Sequence, residues 1–128
     1  MIPEHLRYHK DHEWVKVEGT QAVLGLSDYA QEALGDIVFF QLPQVGATVT
    51  AGQEIGEVES TKATSSIYTP VSGTVSKVNQ ALVERPELAN KDPYGEGWVA
   101  VIELADSADI NSLMDAKAYA AFLQTQAK

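Results

Sequence analysis

The chain has no cysteine, which excludes disulfides, thiolate metal sites and a cysteine nucleophile; any thiol chemistry has to arrive on an attached group. Basic residues are scarce as well: nine Lys and Arg stand against eighteen Asp and Glu, for a formal net charge of -9 at pH 7. That balance argues against nucleic acid and anionic membranes, both of which need basic patches, and leaves protein partners with basic faces open. No apolar run is long enough to cross a bilayer. Met1-Ile2-Pro3-Glu4 shows neither the basic-then-apolar pattern of a signal peptide nor the Arg-rich one of a transit peptide, so a cytoplasmic protein is expected. A length of 128 residues suits one domain with a core that needs no staples, and a single domain over 1–128 is expected.

What the sequence does contain is a succession of short apolar runs bounded by Gly, Pro, Asp and Asn. Their spacing of roughly 8 to 12 residues is the pattern of an all-β sandwich or barrel. "EWVKVEG" predicts a strand with Val15 and Val17 on one face, and "QAVLGLS" a second with Ala22, Leu24 and Leu26, joined by a hairpin turn at Gly19. "DIVFFQLP" is apolar on both faces, as a buried strand would be, and Pro43 ends it. "GATVTAGQEIGEVES", "ATSSIYTPVSGTVSKVN" and "GWVAVIEL" supply further strands around turns at Gly46, Gly52, Pro70, Gly73 and Gly97. Val45-Gly46 with Val49, and Val71-Ser72-Gly73 with Val75, hint at a weak internal duplication.

Helices are few. "SDYAQEALG" predicts a short connector capped by Ser27 or Asp28, with Gln31 completing a capping box and Gly35 closing it. Between Asp109 and Gln124, Ile110, Leu113, Met114, Ala118, Tyr119, Phe122 and Leu123 recur at helical steps. This predicts a C-terminal helix on the flank of the sheets, with Asp115 able to cap a second segment. "RPELANKDPYGEGW" reads as a loop with one helical turn from Pro86.

Several chemical candidates fail on inspection. His5, His9 and His12 would align as metal ligands on a helix, but Pro3 precedes them and a strand follows, so surface histidines and no metal site are expected. Glu57 and Glu59 share one face of a strand, beside no recognisable apolar pocket, and read as a solvated acidic face. The serines near Lys62 form neither a Gly-x-Ser-x-Gly elbow nor a Ser-x-x-Lys arrangement with partners, and "GEGW" is too short for a phosphate loop.

Lys62 remains. From Lys16 to Lys77 it is the only basic residue, in an interval holding Glu18, Asp28, Glu32, Asp36, Glu54, Glu57 and Glu59. Strand formers on both sides, Ile55 and Val58 before it and Ile67 and Tyr68 after it, put Ser60-Thr61-Lys62-Ala63 near the middle of a hairpin, with the lysine at its tip. A generic exposed lysine is only a solvated charge. This one is isolated, is flanked by small residues and has Glu59 three positions before it, as suits an amine that a modifying enzyme must reach.

Five segments in order then resemble the H protein of the glycine cleavage system: "HEWVKVEG" at 12–19, "LSDYAQEALGDIVFFQLPQVG" at 26–46, "VESTKATS" at 58–65, "YTPVSGTVSKVN" at 68–79 and "PELANKDPYGEGW" at 86–98. The resemblance implies a hammerhead lipoyl- or biotinyl-type barrel of two antiparallel sheets with short flanking helices and a C-terminal helix. It implies a monomeric, non-catalytic carrier with lipoate covalently attached at Lys62, and with Glu59 and Gly46 read by the lipoylating enzymes. The implied partners are the pyridoxal-phosphate glycine decarboxylase, the tetrahydrofolate-dependent aminomethyltransferase and dihydrolipoamide dehydrogenase. Glu13, helped by Asp11 or Ser66, is the candidate for holding the ammonium of the loaded arm.

Departures from the family pattern are few: Ser66 stands where an acid is common, Thr61 where valine is usual, and Asp11 precedes His12-Glu13. A biotin carrier shares the fold, but typically has Met-Lys-Met at its tip, whereas Thr61 and Ala63 flank this lysine. A lipoate relay for 2-oxoacid dehydrogenases would share every motif quoted. An unmodified interaction scaffold and a metal store built on the N-terminal histidines complete the alternatives.

Overall fold

The computed structural model describes residues 2–105 and 108–126. The chain opens with β1 (Arg7–Tyr8), β2 (Glu13–Glu18), β3 (Gln21–Leu26) and α1 (Asp28–Leu34). It continues through β4 (Ile37–Gln41), β5 (Thr48–Val49), β6 (Glu54–Ser60), β7 (Thr64–Tyr68) and β8 (Gly73–Val78). Two short helices, α2 (Ala81–Glu84) and α3 (Leu88–Lys91), precede β9 (Ala100–Leu104), and α4 (Ala108–Asn111) and α5 (Ala116–Gln126) follow it. One antiparallel sheet of six strands has the order β1-β2-β3-β9-β8-β5, and a second of three has the order β4-β6-β7. The two sheets keep separate edges, so the mainly β fold expected from the sequence is a flattened, unclosed barrel.

Alternation of side chains across each strand puts one face of each sheet into a common core. Val15, Leu24, Val75 and Ile102 of the larger sheet meet Phe40, Val58 and Ile67 of the smaller one. Trp14 points the other way, and with Leu6, Tyr8, Ala116 and Tyr119 it forms a second cluster that seats α5 against β1 and β2. Its indole N–H donates to the Pro93 carbonyl at 2.8 Å, so the buried ring leaves no polar atom unpaired. The two segments of the suspected duplication lie side by side: Thr48 and Val49 pair with Thr74 and Gly73, and Gly46 N–H donates to the Val75 carbonyl at 2.8 Å.

One expectation needs correction, and others gain detail. Val15 and Val17 share a face of β2, but Val15 is buried and Val17 is 44% exposed, in the part of β2 that β1 no longer pairs with. β4 is not buried on both faces: Val38 and Phe39 are half exposed, because a register shift between Ile37 and Phe39 breaks the alternation and turns two successive side chains outward. As expected, the tail holds a second segment capped by Asp115: it forms α4 and α5, with the Asp115 carboxylate accepting from Ala118 N–H at 2.8 Å at the start of the second. The single turn expected from Pro86 is α3, whereas α2, which ends before Pro86, and the short β1 before the His9–His12 loop lie outside what the sequence pattern indicates.

Candidate functional site

Lys62 stands exposed at the tip of the β6–β7 hairpin. Ser60 shapes the tip: its N–H donates to the Ala63 carbonyl at 2.8 Å, and its hydroxyl oxygen accepts from the N–H groups of Lys62 and Ala63 at 3.2 and 3.1 Å. Thr61 N–H donates to the Asp36 carbonyl at 3.0 Å and so ties the tip to the residue before β4. Gly35 closes α1 with a φ of +82°, which glycine adopts without strain, and its backbone runs beside the lysine stem. A Cβ added there would meet Lys62 Cε at 3.5 Å.

Asn90 of α3 holds this corner together. Its amide donates to the Gln31 side chain at 2.8 Å and to the Gly35 carbonyl at 2.9 Å, while its oxygen accepts from Ile37 N–H at 2.9 Å. One side chain thus fixes the end of α1, the start of β4 and, through Asp36, the lysine tip. At the other end of α1, Ser27 accepts from Ala30 N–H at 3.2 Å as the cap, settling the choice between Ser27 and Asp28.

A cavity of about 170 Å³ lies along α1, between Ala33 and Leu34 of the helix, Ser65 and Ser66 of β7, and the segment Asp11-His12-Glu13. The three residues singled out for holding the arm, Glu13, Asp11 and Ser66, therefore line one cavity. Glu13 is 1% exposed; its Oε2 accepts from Tyr68 N–H at 3.1 Å, and its Oε1 has no hydrogen-bond partner among the described residues. Burial pushes its carboxyl well above the usual carboxylate range; the Tyr68 bond opposes that shift and the Asp11 charge adds to it. A buried acid of this kind is stabilised as an anion only when a cation or donor reaches its free oxygen.

His5 is exposed, but His9 and His12 are half buried, a correction to the surface histidines expected. His12 adopts a φ of +71° and places Nδ1 2.8 Å from the Tyr119 hydroxyl, which also bonds Ser27 Oγ at 2.8 Å. Burial lowers the His12 pKa, against a raising influence of Asp11 and with His9 adding to the lowering, which favours the neutral ring. Glu59 is half buried on β6, between Phe39 and Thr64 in the register and next to the residue that begins the tip. Gly46 is exposed with a φ of +93°, in the turn beyond the Gln41 end of β4; β4 meets the hairpin tip at its other end, where Ile37 pairs with Ser60. The left-handed turn gives Gly46 a backbone reason of its own.

Sequence reasoning missed the wall of the cavity. α1 has no fully buried residue, and the small side chains Ala30 and Ala33 leave space that a well-packed connector would fill. Alanines three apart on a helix ending beside the lysine were the available signal. The Asn90 clamp carried none, since its partners lie more than fifty positions away.

Residues 6–126 match the family described as Glycine cleavage H-protein. The chain belongs to the glycine cleavage H-protein family. It is 50% identical over 123 residues to the glycine cleavage system H protein of Myxococcus xanthus, covering 96% of this chain and 95% of that one. It is 53% identical over 125 residues to the one from a Thermoanaerobacter species, covering 98% of each. The crystal structure of a glycine cleavage system H protein from Mycobacterium marinum superposes with a TM-score of 0.88 at 40% identity, covering 98% of this chain and all of that one. The six- and three-stranded sheets described above are thus an H-protein fold.

Proposed function

We propose that residues 1–128 form a single lipoyl-carrier domain that bears lipoate in amide linkage on Nζ of Lys62 and serves glycine cleavage as a non-catalytic, cytoplasmic monomer. The observation that carries this reading is an isolated, exposed amine at a hairpin tip, whose stem lies against the end of α1, beside a cavity that reaches a buried carboxylate with a free oxygen. The residues present fit the group. Nothing bulky flanks the amine, and α1, seven residues long, spans roughly 10 Å between the lysine corner and the His12–Glu13 end, comparable to the reach of a lipoyl chain.

Bound there, lipoate would supply a disulfide able to carry the aminomethyl group of glycine from the decarboxylase, which releases CO2, to the aminomethyltransferase, with dihydrolipoamide dehydrogenase as the reoxidant. The chain's own residues deliver and shelter. Lys62 provides the tether, so that each visit to a partner is effectively intramolecular once the carrier is docked. Glu13 Oε1 accepts a charge-assisted hydrogen bond from the ammonium of the loaded arm, which restores an ionised partner to a buried acid, with Asp11 and Ser66 at the same cavity. Glu59 and Gly46 are the positions that lipoylating enzymes read.

Intact mass and peptide mapping of the protein from cells supplied with lipoate test the proposal. One lipoyl group on the Lys62 peptide is expected. Lys62→Arg should abolish glycine-dependent CO2 exchange with the decarboxylase while the circular dichroism spectrum stays unchanged. Lipoate on Lys77 or Lys91 instead, or full exchange by the arginine variant, would overturn it.

A further inference from the structure

The turn between β1 and β2 brings three potential ligands to one point. His9 Nδ1 lies 3.3 Å from Asp11 Oδ2 and 3.9 Å from Glu13 Oε1. His9, Asp11 and Glu13 each offer one ligand atom, all within 4.8 Å of one another, and they are the only such group of His, Asp and Glu among the described residues. A tetrahedral ion with bonds of about 2.0–2.2 Å holds its ligand atoms roughly 3.3–3.6 Å apart, so the 3.3 Å spacing already matches, while the 3.9 Å spacing and the remaining one, within 4.8 Å, have to contract. Asp11 is exposed on a turn and free to supply that movement.

Proximity of acids to a histidine is common on protein surfaces and decides nothing alone. Here one of the three is almost wholly buried: Glu13 is 1% exposed, and the oxygen facing His9 is the one without a hydrogen-bond partner among the described residues. Its other oxygen is fixed by Tyr68 N–H at 3.1 Å, which orients the carboxylate as an outer hydrogen bond orients a metal-bound one. His9 Nδ1 accepts from Asp11 N–H at 3.1 Å, so its lone pair is on the side of the cluster, and coordination would exchange that bond for one to the ion. A cavity of about 780 Å³, lined by His9, Lys10, Asp11, Tyr68 and Met114, gives solvent access to His9 and Asp11, while Glu13 lines the space along α1, which Asp11 also borders.

We propose that His9, Asp11 and Glu13 form a binding site for a divalent transition-metal ion of the zinc class, with water completing the coordination. One imidazole nitrogen and two carboxylate oxygens suit such an ion better than magnesium or calcium, which take oxygen ligands. This set differs from the one read in the sequence, because His5 and His12 take no part: His5 is exposed, and His12 is committed to Tyr119. The site stands whatever the carrier's cargo is. A consequence that does rest on the proposed function is competition, since an ion and the ammonium of a loaded arm would claim the same Glu13 oxygen.

The test is calorimetric titration of the full-length, unlipoylated protein with zinc chloride, so that failure of the lipoyl reading leaves it untouched. One ion per chain with micromolar affinity is expected, weakened at least tenfold by His9→Ala and by Asp11→Asn and unchanged by His5→Ala. Both substituted side chains lie outside the main core, and unchanged circular dichroism spectra will show that the variants are folded. With cobalt(II) as the probe, ligand-field bands of a low-coordinate site should appear and be lost in His9→Ala. The absence of saturable one-to-one binding below millimolar zinc, or binding in either variant within threefold of the parent, would overturn the proposal.

Discussion

The Tyr119 hydroxyl sits 2.8 Å from His12 Nδ1 and 2.8 Å from Ser27 Oγ, so that a residue of α5 bonds both the segment carrying Glu13 and the cap of the helix that walls the cavity. A phenol has one proton, so it donates to one of the two and accepts from the other. Tyr8 stacks on the same ring with centroids 4.5 Å apart and the two planes nearly parallel. Tyr119→Phe is expected to keep the stack, leave two polar groups short of a partner and cost about 1–3 kcal/mol in urea denaturation at neutral pH.

The same phenol predicts an alkaline limit. Burial pushes the Tyr119 pKa up to about 12 from the ordinary 10.0, with the Ser27 bond opposing and nearby Tyr94, Tyr29 and Glu13 adding. Because the folded pKa is raised, the stability it represents is fully present below pH 10 and is lost as pH rises towards about 12. Denaturation midpoints taken between those limits should fall more steeply for the parent than for Tyr119→Phe. Parallel slopes would count against this assignment.

Asn90→Ala removes the three hydrogen bonds that join α1, Gly35 and β4. The expected cost is about 1–3 kcal/mol. Amide exchange should accelerate at Ile37, whose N–H loses its acceptor, far more than at Leu24 in the centre of the larger sheet. Uniform acceleration would mean that the clamp only contributes to global stability.

Glu59→Ala should slow lipoyl transfer to Lys62 tenfold or more while changing stability by no more than about 1 kcal/mol, since Glu59 is half buried beside the tip and not part of the core. Equal transfer rates to both proteins would remove Glu59 from the recognition set.

Glu13→Gln addresses the loaded arm. With the decarboxylase removed after loading and no aminomethyltransferase present, ammonia should be released about tenfold faster from the variant, the size expected for losing a charge-assisted hydrogen bond. Identical decay would mean that Glu13 holds nothing.

Local chemistry alone determined a good deal of this protein. Alternating apolar residues specify strands, the Ser27 and Asp115 caps start helices, Gly35 ends one, and the solitary Lys62 between two strand-forming runs is a hairpin tip, because each of these features depends on neighbours a few residues away. The five H-protein segments were legible for the same reason. Tertiary structure decided the rest. In sequence Glu13 is an acid at the start of a strand; in the fold it is buried, with one oxygen held by the Tyr68 N–H of β7, 55 positions away. Val38 and Phe39 face solvent because of a register shift against β6, and His12 is withdrawn from the other histidines by Tyr119, 107 positions on. Periodicity reports which face of a strand is apolar, but what covers that face depends on contacts between elements distant in the chain, and those contacts build the cavity and the free carboxylate oxygen beside it.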